Sequence, residues 1–468
     1  MKTLTNILKN LSRRSIAVKA LAGLLLLSTS GVMAQSLPAN NAGQPAAQPA
    51  TPLSLEQAIQ LAIETNLGTL IAKERQNEAR GKSREALSSL LPNVSGTFTQ
   101  ENKTINLRAL GLNFGGLGLP VNIPNLVGPF DTFDARIHFT QTILDLSALR
   151  NYQAERAGID IAKSQTQLAR EQVATAAILA YVEAQRSKQA VAAAQSNLEL
   201  AQTLQKLAED QHTAGVATGV DVARAATQVS QNLFNLAQAR KDLAQAMLQL
   251  QRVVGLPQGG DMVLTDSLEF GKETPLSPTE AVAAAQANRY ELKIIQQQVR
   301  QHELQRKSAV AEQYPSLSFG YDYGVSGVTP ANTALPTRSV GVQVNVPIFN
   351  GGATRARIAI AKSQKSQTEL ELNDAQKQVE EDVRLALVTL TTTADQVRSA
   401  QTTLDLAQIE LRLARDRFSA GVADNIEVVN AQTALQNARN TVVAALAAYN
   451  TARANLAAAL GRAEGFRL

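Results

Sequence analysis

The sequence predicts a mainly α protein with a small β part: long antiparallel helical hairpins and four strands, arranged as an internal duplication. Three observations predict it. The first is a seam. Alternating steps of four and three from Val379 reach Val383, Ala386, Leu390, Thr393, Val397, Ala400, Leu404, Ala407, Leu411, Ala414 and Phe418; eleven of the twelve positions are apolar and no Gly or Pro intervenes. This is the period of a coiled-coil seam, and it demands a partner helix. The second is a candidate partner. After the turn Ser419-Ala420-Gly421-Val422-Ala423, another Gly-free and Pro-free run extends from about Asn425 to Leu460. The third is a repeat. "LAEDQHTAGVATGVDV" (Leu207 to Val222) answers "LARDRFSAGVADNIEV" (Leu413 to Val428) at an offset of 206 residues, which places Gly215 on Gly421, Asp221 on Glu427 and Gly255 on Gly461. A fixed offset of this kind marks duplicated supersecondary units.

A length of 468 residues alone would suggest two or three globular domains, but aromatics are only 4% and Trp is absent, which suits closely packed helices better than a broad core. The formal charge of +5 comes from residues 1–34, which hold Lys2, Lys9, Arg13, Arg14 and Lys19 and no acid; the remainder balances. The basic pI therefore gives no ground for a nucleic-acid partner. Residues 1–34 read as a secretory signal peptide: a basic start, an apolar stretch from Ala20 to Leu27, and small residues at Val32-Met33-Ala34. The alternative, an N-terminal membrane anchor, has an apolar core too short to span comfortably. The chain has no Cys, so it has no disulfide, no thiolate metal site and no lipid-bearing cysteine.

In chain order, residues 35–52 are Pro, Ala, Gln and Asn with little apolar bulk and predict a disordered leader. A first repeat over 53–265 opens on "LSLEQAIQLAIETN", with Ser54 as N-cap and Asn66 as stop, followed by a helix from about Gly68 to Leu91 that Pro92 ends. The period then changes to two, predicting strands at about 94–99 and 133–143, with Glu101 to Phe130 as a long loop between them. Asp145 caps a long helix from Leu146 to Ala214, and the hairpin runs to about residue 254. A second repeat over 266–468 follows the same order. "LSPTEAVAAAQANRYEL" answers the segment at Leu53, strands are predicted at about 317–325 and 340–348, and Asn350 with Gly351 and Gly352 opens a hairpin over about 351–460.

A helix of 69 residues is on the order of 100 Å long, too long for one compact core, so the helices must lie along one another. Four amphipathic strands leave two open edges and an uncovered apolar face. A barrel needs roughly eight strands or more, so closure requires several chains: two would supply eight strands and three would supply twelve. One-faced strands of about ten residues in an exported protein have the length of an outer-membrane barrel wall. The alternative is a soluble sheet packed on the helices.

Residues for catalysis are lacking. His138, His212 and His302 are isolated, with no HExxH pattern, and read as solvated or helix-end residues. The glycines at 115, 116 and 118 do not stand between a strand and a helix of a βαβ unit, and there is no nucleophile elbow. No cofactor or metal is expected. The informative polar residues are at the turns: Thr218 and Asp221 form one T-x-x-D box, and Asp424 and Glu427 a D-x-x-E box, each opening a returning helix. Capping of the positive helix end explains both.

Together, "LSLEQAIQLAIETN", "LLPNVSGTF", "QYPSLSFGYDYG", "NVPIFNGGATRARI" and the turns at Gly215 and Gly421 resemble the TolC family of outer-membrane efflux proteins, across the span from Leu53 to Arg462. The resemblance implies a homotrimer with a twelve-stranded barrel in outer-membrane lipid, continued by a coiled-coil tunnel of twelve helices across the periplasm. It implies a passive duct of an efflux or secretion system, served by a periplasmic adaptor (membrane fusion protein) and an inner-membrane pump of the RND, ABC or a similar class. It also implies a periplasmic gate at the turn residues Asp221, Asp424 and Glu427, with Asn430 where some relatives carry another acid, and adaptor contacts at Gly215, Val216, Thr218, Gly421 and Val422. A non-pore envelope protein that bridges membranes with long hairpins is the competing expectation; it would have no use for four symmetric strands.

Overall fold

The computed structural model describes residues 51–111, 124–257, 259–260, 262–271, 277–331, 333–423 and 425–468. The signal-peptide reading of 1–34, most of the leader, the glycines at 115, 116 and 118, and Asp424 lie outside the described residues. The elements are β1 (Thr51–Leu53), α1 (Leu55–Thr65), α2 (Leu67–Ser88), β2 (Asn93–Asn106), β3 (Leu126–Leu144), α3 (Leu146–Thr213), α4 (Gly219–Val254), β4 (Met262–Leu264), α5 (Pro278–Asn288), α6 (Tyr290–Ala311), β5 (Ser316–Gly327), β6 (Leu335–Asn345), α7 (Ala353–Ser419) and α8 (Asn425–Ala459), with a 3-10 turn at Ala463–Gly465.

Local chemistry explains the helix boundaries. Ser54 and Gln57 form a reciprocal capping box at α1, and the Asp145 carboxylate accepts from the Ala148 N–H at 2.9 Å to open α3. The long helices pair as hairpins, α3 with α4 and α7 with α8, while α2 and α6 lie along α3 and α6 also packs on α7. The seam in α7 is the reason its hairpin closes. Val379, Val383, Thr393, Val397, Ala400, Ala407, Leu411, Ala414 and Phe418 are buried, and the stretch from Ala407 to Phe418 packs against Val428, Ala431, Leu435 and Ala438 of α8.

A second core sits at mid-length, where α1 packs on α3 and α4. Tyr181, wholly buried, places its hydroxyl 3.0 Å from the Leu53 carbonyl and 3.1 Å from Asp266 Oδ2, which also accepts from the Leu55 N–H at 2.6 Å. The three residues of β1 pair in parallel with β4 beside this knot. The leader is therefore ordered from Thr51, two residues earlier than expected. The cause is a pairing across some 211 residues, Thr51 with Met262, which leaves no mark in a Pro-rich and Ala-rich local sequence.

The four remaining strands form one antiparallel sheet in the order β2-β3-β5-β6. Its ladder corrects the expected strand limits. In the first hairpin it runs on through Glu101-Asn102-Lys103 opposite Thr132-Asp131-Phe130, and after a register shift at Lys103/Ile105 continues to Asn106 opposite Leu126, so much of the expected loop is strand. Backbone pairing holds polar residues there that carry no period-two signal. In the second hairpin β6 lies earlier than expected, beginning at Leu335 and ending at Asn345; Val346 and Ile348 leave the ladder around Pro347, which has no N–H to give. Asn350 is likewise not the cap of α7. Gly352, at φ +86°, takes that position, and the Asn350 amide turns instead to the Thr354 hydroxyl.

Candidate functional site

The end of each long hairpin remote from the sheet is built by the same turn. At the end of α3 the Gly215 N–H donates to His212 O at 3.0 Å and the Val216 N–H to Gln211 O at 2.9 Å; at the end of α7 the Gly421 N–H donates to Phe418 O at 3.0 Å and the Val422 N–H to Arg417 O at 3.0 Å. This is the Schellman arrangement, and it requires a left-handed residue, supplied by Gly215 at φ +76° and Gly421 at φ +71°. A Cβ at either glycine would meet open space, so the requirement is backbone conformation alone. Beyond each glycine stands an exposed valine, Val216 at 64% and Val422 at 73% exposure, without the apolar contact that usually accompanies the motif.

The acids at the two turns have different environments despite their matching sequence positions. Asp221 is buried, and its Oδ2 accepts from the Thr218 N–H at 3.0 Å and the Thr218 hydroxyl at 2.7 Å. Those two hydrogen bonds, the hydroxyl first, with Arg224 Nη1 at 3.5 Å, hold its carboxyl below the usual carboxylate range. Asp221 is consumed by capping. Glu427, in contrast, is half-exposed and meets Arg417 Nε at 3.3 Å, across from the last turn of α7 to the first of α8. Asn430, one turn on, is exposed.

Sequence reasoning missed what joins the two hairpins near this end. The Asn425 side chain donates to the Asp221 carbonyl at 3.0 Å and Gln211 to the Phe418 carbonyl at 3.3 Å. Farther along, Gln436 donates to Asn232 at 2.9 Å and Arg439 to Asn197 at 2.7 Å. Near this end α3 also adds Leu204 to the apolar core of the α7–α8 hairpin, so the polar rungs stand beside an apolar contact between the hairpins. Buried asparagines at 197, 232 and 425 on apolar-seamed helices were the available signal.

The sheet has two chemically distinct faces. In register across it run Val94, Phe139, Tyr321 and Val340, and one row on Phe98, Ala135 and Val325 share the same face after Gly96, Ile137 and Tyr323. Val94, Phe98, Ile137, Val340, Val342 and Val344 are each more than half exposed, an apolar surface that a protein in water would have to cover. The opposite face carries Asp134 paired with Arg136, and His138 between Thr97 Oγ1 at 2.9 Å and Asp322 Oδ1 at 2.7 Å. His138 is thus part of a cross-strand polar cluster and not simply solvated. His212 Nδ1 contacts the Ala217 carbonyl at 2.9 Å at the helix end, and His302 Nδ1 contacts Gln305 at 2.9 Å. Among the described residues no group of three or more His, Asp or Glu side chains could hold a metal ion, and no helix is long and apolar enough to cross a membrane.

A sequence profile described as "Outer membrane efflux protein" matches residues 58–256 and 281–462. The chain is 26% identical over 341 residues to the alkaline protease secretion protein AprF of Pseudomonas aeruginosa, covering 70% of this chain and 69% of that protein. It is 28% identical over 264 residues to the outer membrane efflux protein BepC of Brucella suis, covering 55% of this chain and 56% of that one, so that match spans about half of each. In three dimensions it resembles the CmeC outer membrane channel of Campylobacter jejuni, with a TM-score of 0.74 at 17% identity over 88% of this chain and 86% of CmeC. It also resembles CusC, with a TM-score of 0.72 at 20% identity over 87% of this chain and 92% of that one.

Proposed function

The chain belongs to the outer membrane efflux protein family, and on that premise we propose that it is the outer-membrane exit duct of a tripartite efflux or secretion system, a passive channel that assembles as a homotrimer. The observation that carries the proposal is the sheet. It has an apolar face and a polar face, both of its edge strands, β2 and β6, are exposed along their length, and each strand hairpin is followed by a long helix, α3 after β3 and α7 after β6. Edge strands with unpaired N–H and C=O groups cannot be left bare in a lipid bilayer. Four strands are too few to close, and three copies give twelve, with the polar face turned to a water-filled lumen and the apolar face to lipid. Export by the signal peptide of residues 1–34 belongs to the same proposal.

In this reading the hairpin ends at Gly215 and Gly421 are the periplasmic mouth. Glu427, half-exposed beside Arg417, is the acid that faces it, with Asn430 a turn above, and Asp424 joins them by its place in the sequence; Asp221 serves as the cap that holds α4 in place. Val216 and Val422, with the glycines and Thr218 beside them, offer small exposed positions on which the helical hairpin of a periplasmic adaptor could extend the coiled coil. The adaptor in turn connects to an inner-membrane pump, and cargo selection belongs to the pump. The test is conductance of the purified protein in planar bilayers together with its mass in detergent. A trimer that conducts supports the duct; a monomer, or a protein that partitions with the soluble periplasmic contents, refutes it.

A further inference from the structure

We propose that Arg338 is a contact for phosphate groups of the lipid headgroups around the hairpin end of the barrel. The proposal rests on the barrel reading above. In the four-stranded part of the sheet, the register places Arg338 opposite Tyr323 and between Pro336 and Val340, on the apolar face. It is the one charged side chain among the described residues of that face from the row of Leu317 to the row of Gly327. A cation on the lipid side of a barrel is costly to a degree that depends on depth, so an arginine kept there needs a nearby anion.

The protein does not supply that anion. On the polar face the carboxylates have partners within the chain, Asp134 with Arg136 and Asp322 with His138. Arg338 is exposed, and among the described residues no carboxylate pairs with it. A neighbouring copy would not supply one either. Closing the ring brings β6 beside β2 of the next copy, whose residues on this face are Val94, Gly96, Phe98 and Gln100.

Depth selects the headgroup as the partner. Arg338 lies three residues from the start of β6 at Leu335, about 10 Å along the strand, with one apolar row of the same face (Phe98, Ala135, Val325 and Pro336) between it and the row where Gln100 and Gly327 end the apolar band. Its methylene stem can lie along the apolar surface of Tyr323 and Pro336 while the guanidinium reaches the polar boundary. There its planar fork matches two oxygens of one phosphate, a geometry that a lysine ammonium does not reproduce.

The test uses the full-length protein and its R338Q and R338K variants, purified in detergent and exchanged into mixed micelles containing lipopolysaccharide, phosphatidylglycerol or phosphatidylcholine, with bound lipid counted by native mass spectrometry. Wild-type protein should hold an anionic lipid about tenfold more tightly than phosphatidylcholine, the discrimination expected of one charge-assisted hydrogen-bonded contact. R338Q should lose that preference and R338K should keep only part of it, with oligomeric mass and conductance unchanged. Loss in the lipopolysaccharide arm identifies the saccharolipid phosphates as the source, and loss in the phosphatidylglycerol arm identifies a phospholipid. A trimeric, membrane-held protein whose lipid preference is the same with and without Arg338 overturns this proposal alone. A wild-type protein that is monomeric and leaves the membrane fraction in carbonate overturns the barrel reading and this proposal with it.

Discussion

The two matched acids, Asp221 and Glu427, should fail in opposite ways when neutralised. Asp221→Ala removes the acceptor of two Thr218 hydrogen bonds at the start of α4 and leaves both donors near a buried position. Loss of such a cap costs about 1–2 kcal/mol. Glu427→Gln removes only a half-exposed ion pair with Arg417, worth about 0.2–1 kcal/mol. The effect on the pore should be reversed. For a cation about 10 Å from each of three Glu427 carboxylates in water, Coulomb attraction is about 0.4 kcal/mol per charge. The sum of about 1.2 kcal/mol corresponds to an eightfold enrichment at very low salt, and one Debye length of screening at 0.1 M reduces it to about twofold. Reversal potentials in planar bilayers under a salt gradient read this directly, and hydrogen exchange of α4 reads the cap. Glu427→Gln should lower cation preference by those factors and leave exchange near wild type; Asp221→Ala should speed exchange over the first turns of α4 with selectivity retained. If Asp221→Ala shifts the reversal potential as far as Glu427→Gln, the assignment of one acid to structure and the other to the mouth is wrong.

Other consequences are simpler to state. Gly421→Ala forces a Cβ into φ +71° and should cost about 1 kcal/mol, seen as faster proteolytic nicking around Gly421 with the barrel end unaffected. Tyr181→Phe leaves Asp266 and the Leu53 carbonyl without the hydroxyl they share, for a loss of about 1–3 kcal/mol and a lowered melting temperature. The pH dependence follows from Glu303, whose carboxyl Arg306, first, and Lys365 hold down to about 2. A carboxyl whose pKa is depressed in the folded state lends its stability fully above its unfolded pKa of about 4.3 and loses it as pH falls toward 2. Hydrogen exchange in α6 should therefore accelerate below pH 4.5, and the Glu303→Gln variant should lack that acid phase.

The apolar seam of α7 was legible because a helix repeats its buried positions every three or four residues within one segment, so nine of its twelve positions are buried where the period placed them. The Schellman turns were legible for a similar reason: Gly215 and Gly421 satisfy a backbone demand that arises within six residues. The two-faced sheet was visible in the alternation of Val94 to Phe98 and Phe133 to Phe139, while its reach was not. Glu101 to Asn106 and Leu126 to Thr132 belong to the ladder through backbone pairing with each other, which polar or irregular side chains do not announce.

Tertiary structure alone decided the roles of the polar residues. Asp221 and Glu427 stand at the same place in the repeat, yet Asp221 is buried on Thr218 with Asn425 of the second hairpin on its carbonyl, while Glu427 stays half-exposed beside Arg417. Arg338 reads as one more polar residue until the register with Tyr323 assigns it to the apolar face. Periods and turns are set by neighbours along the chain, so the sequence determines them by itself; burial, register and pairing partners are set by segments as far as about 200 residues away, and they exist only once those segments meet.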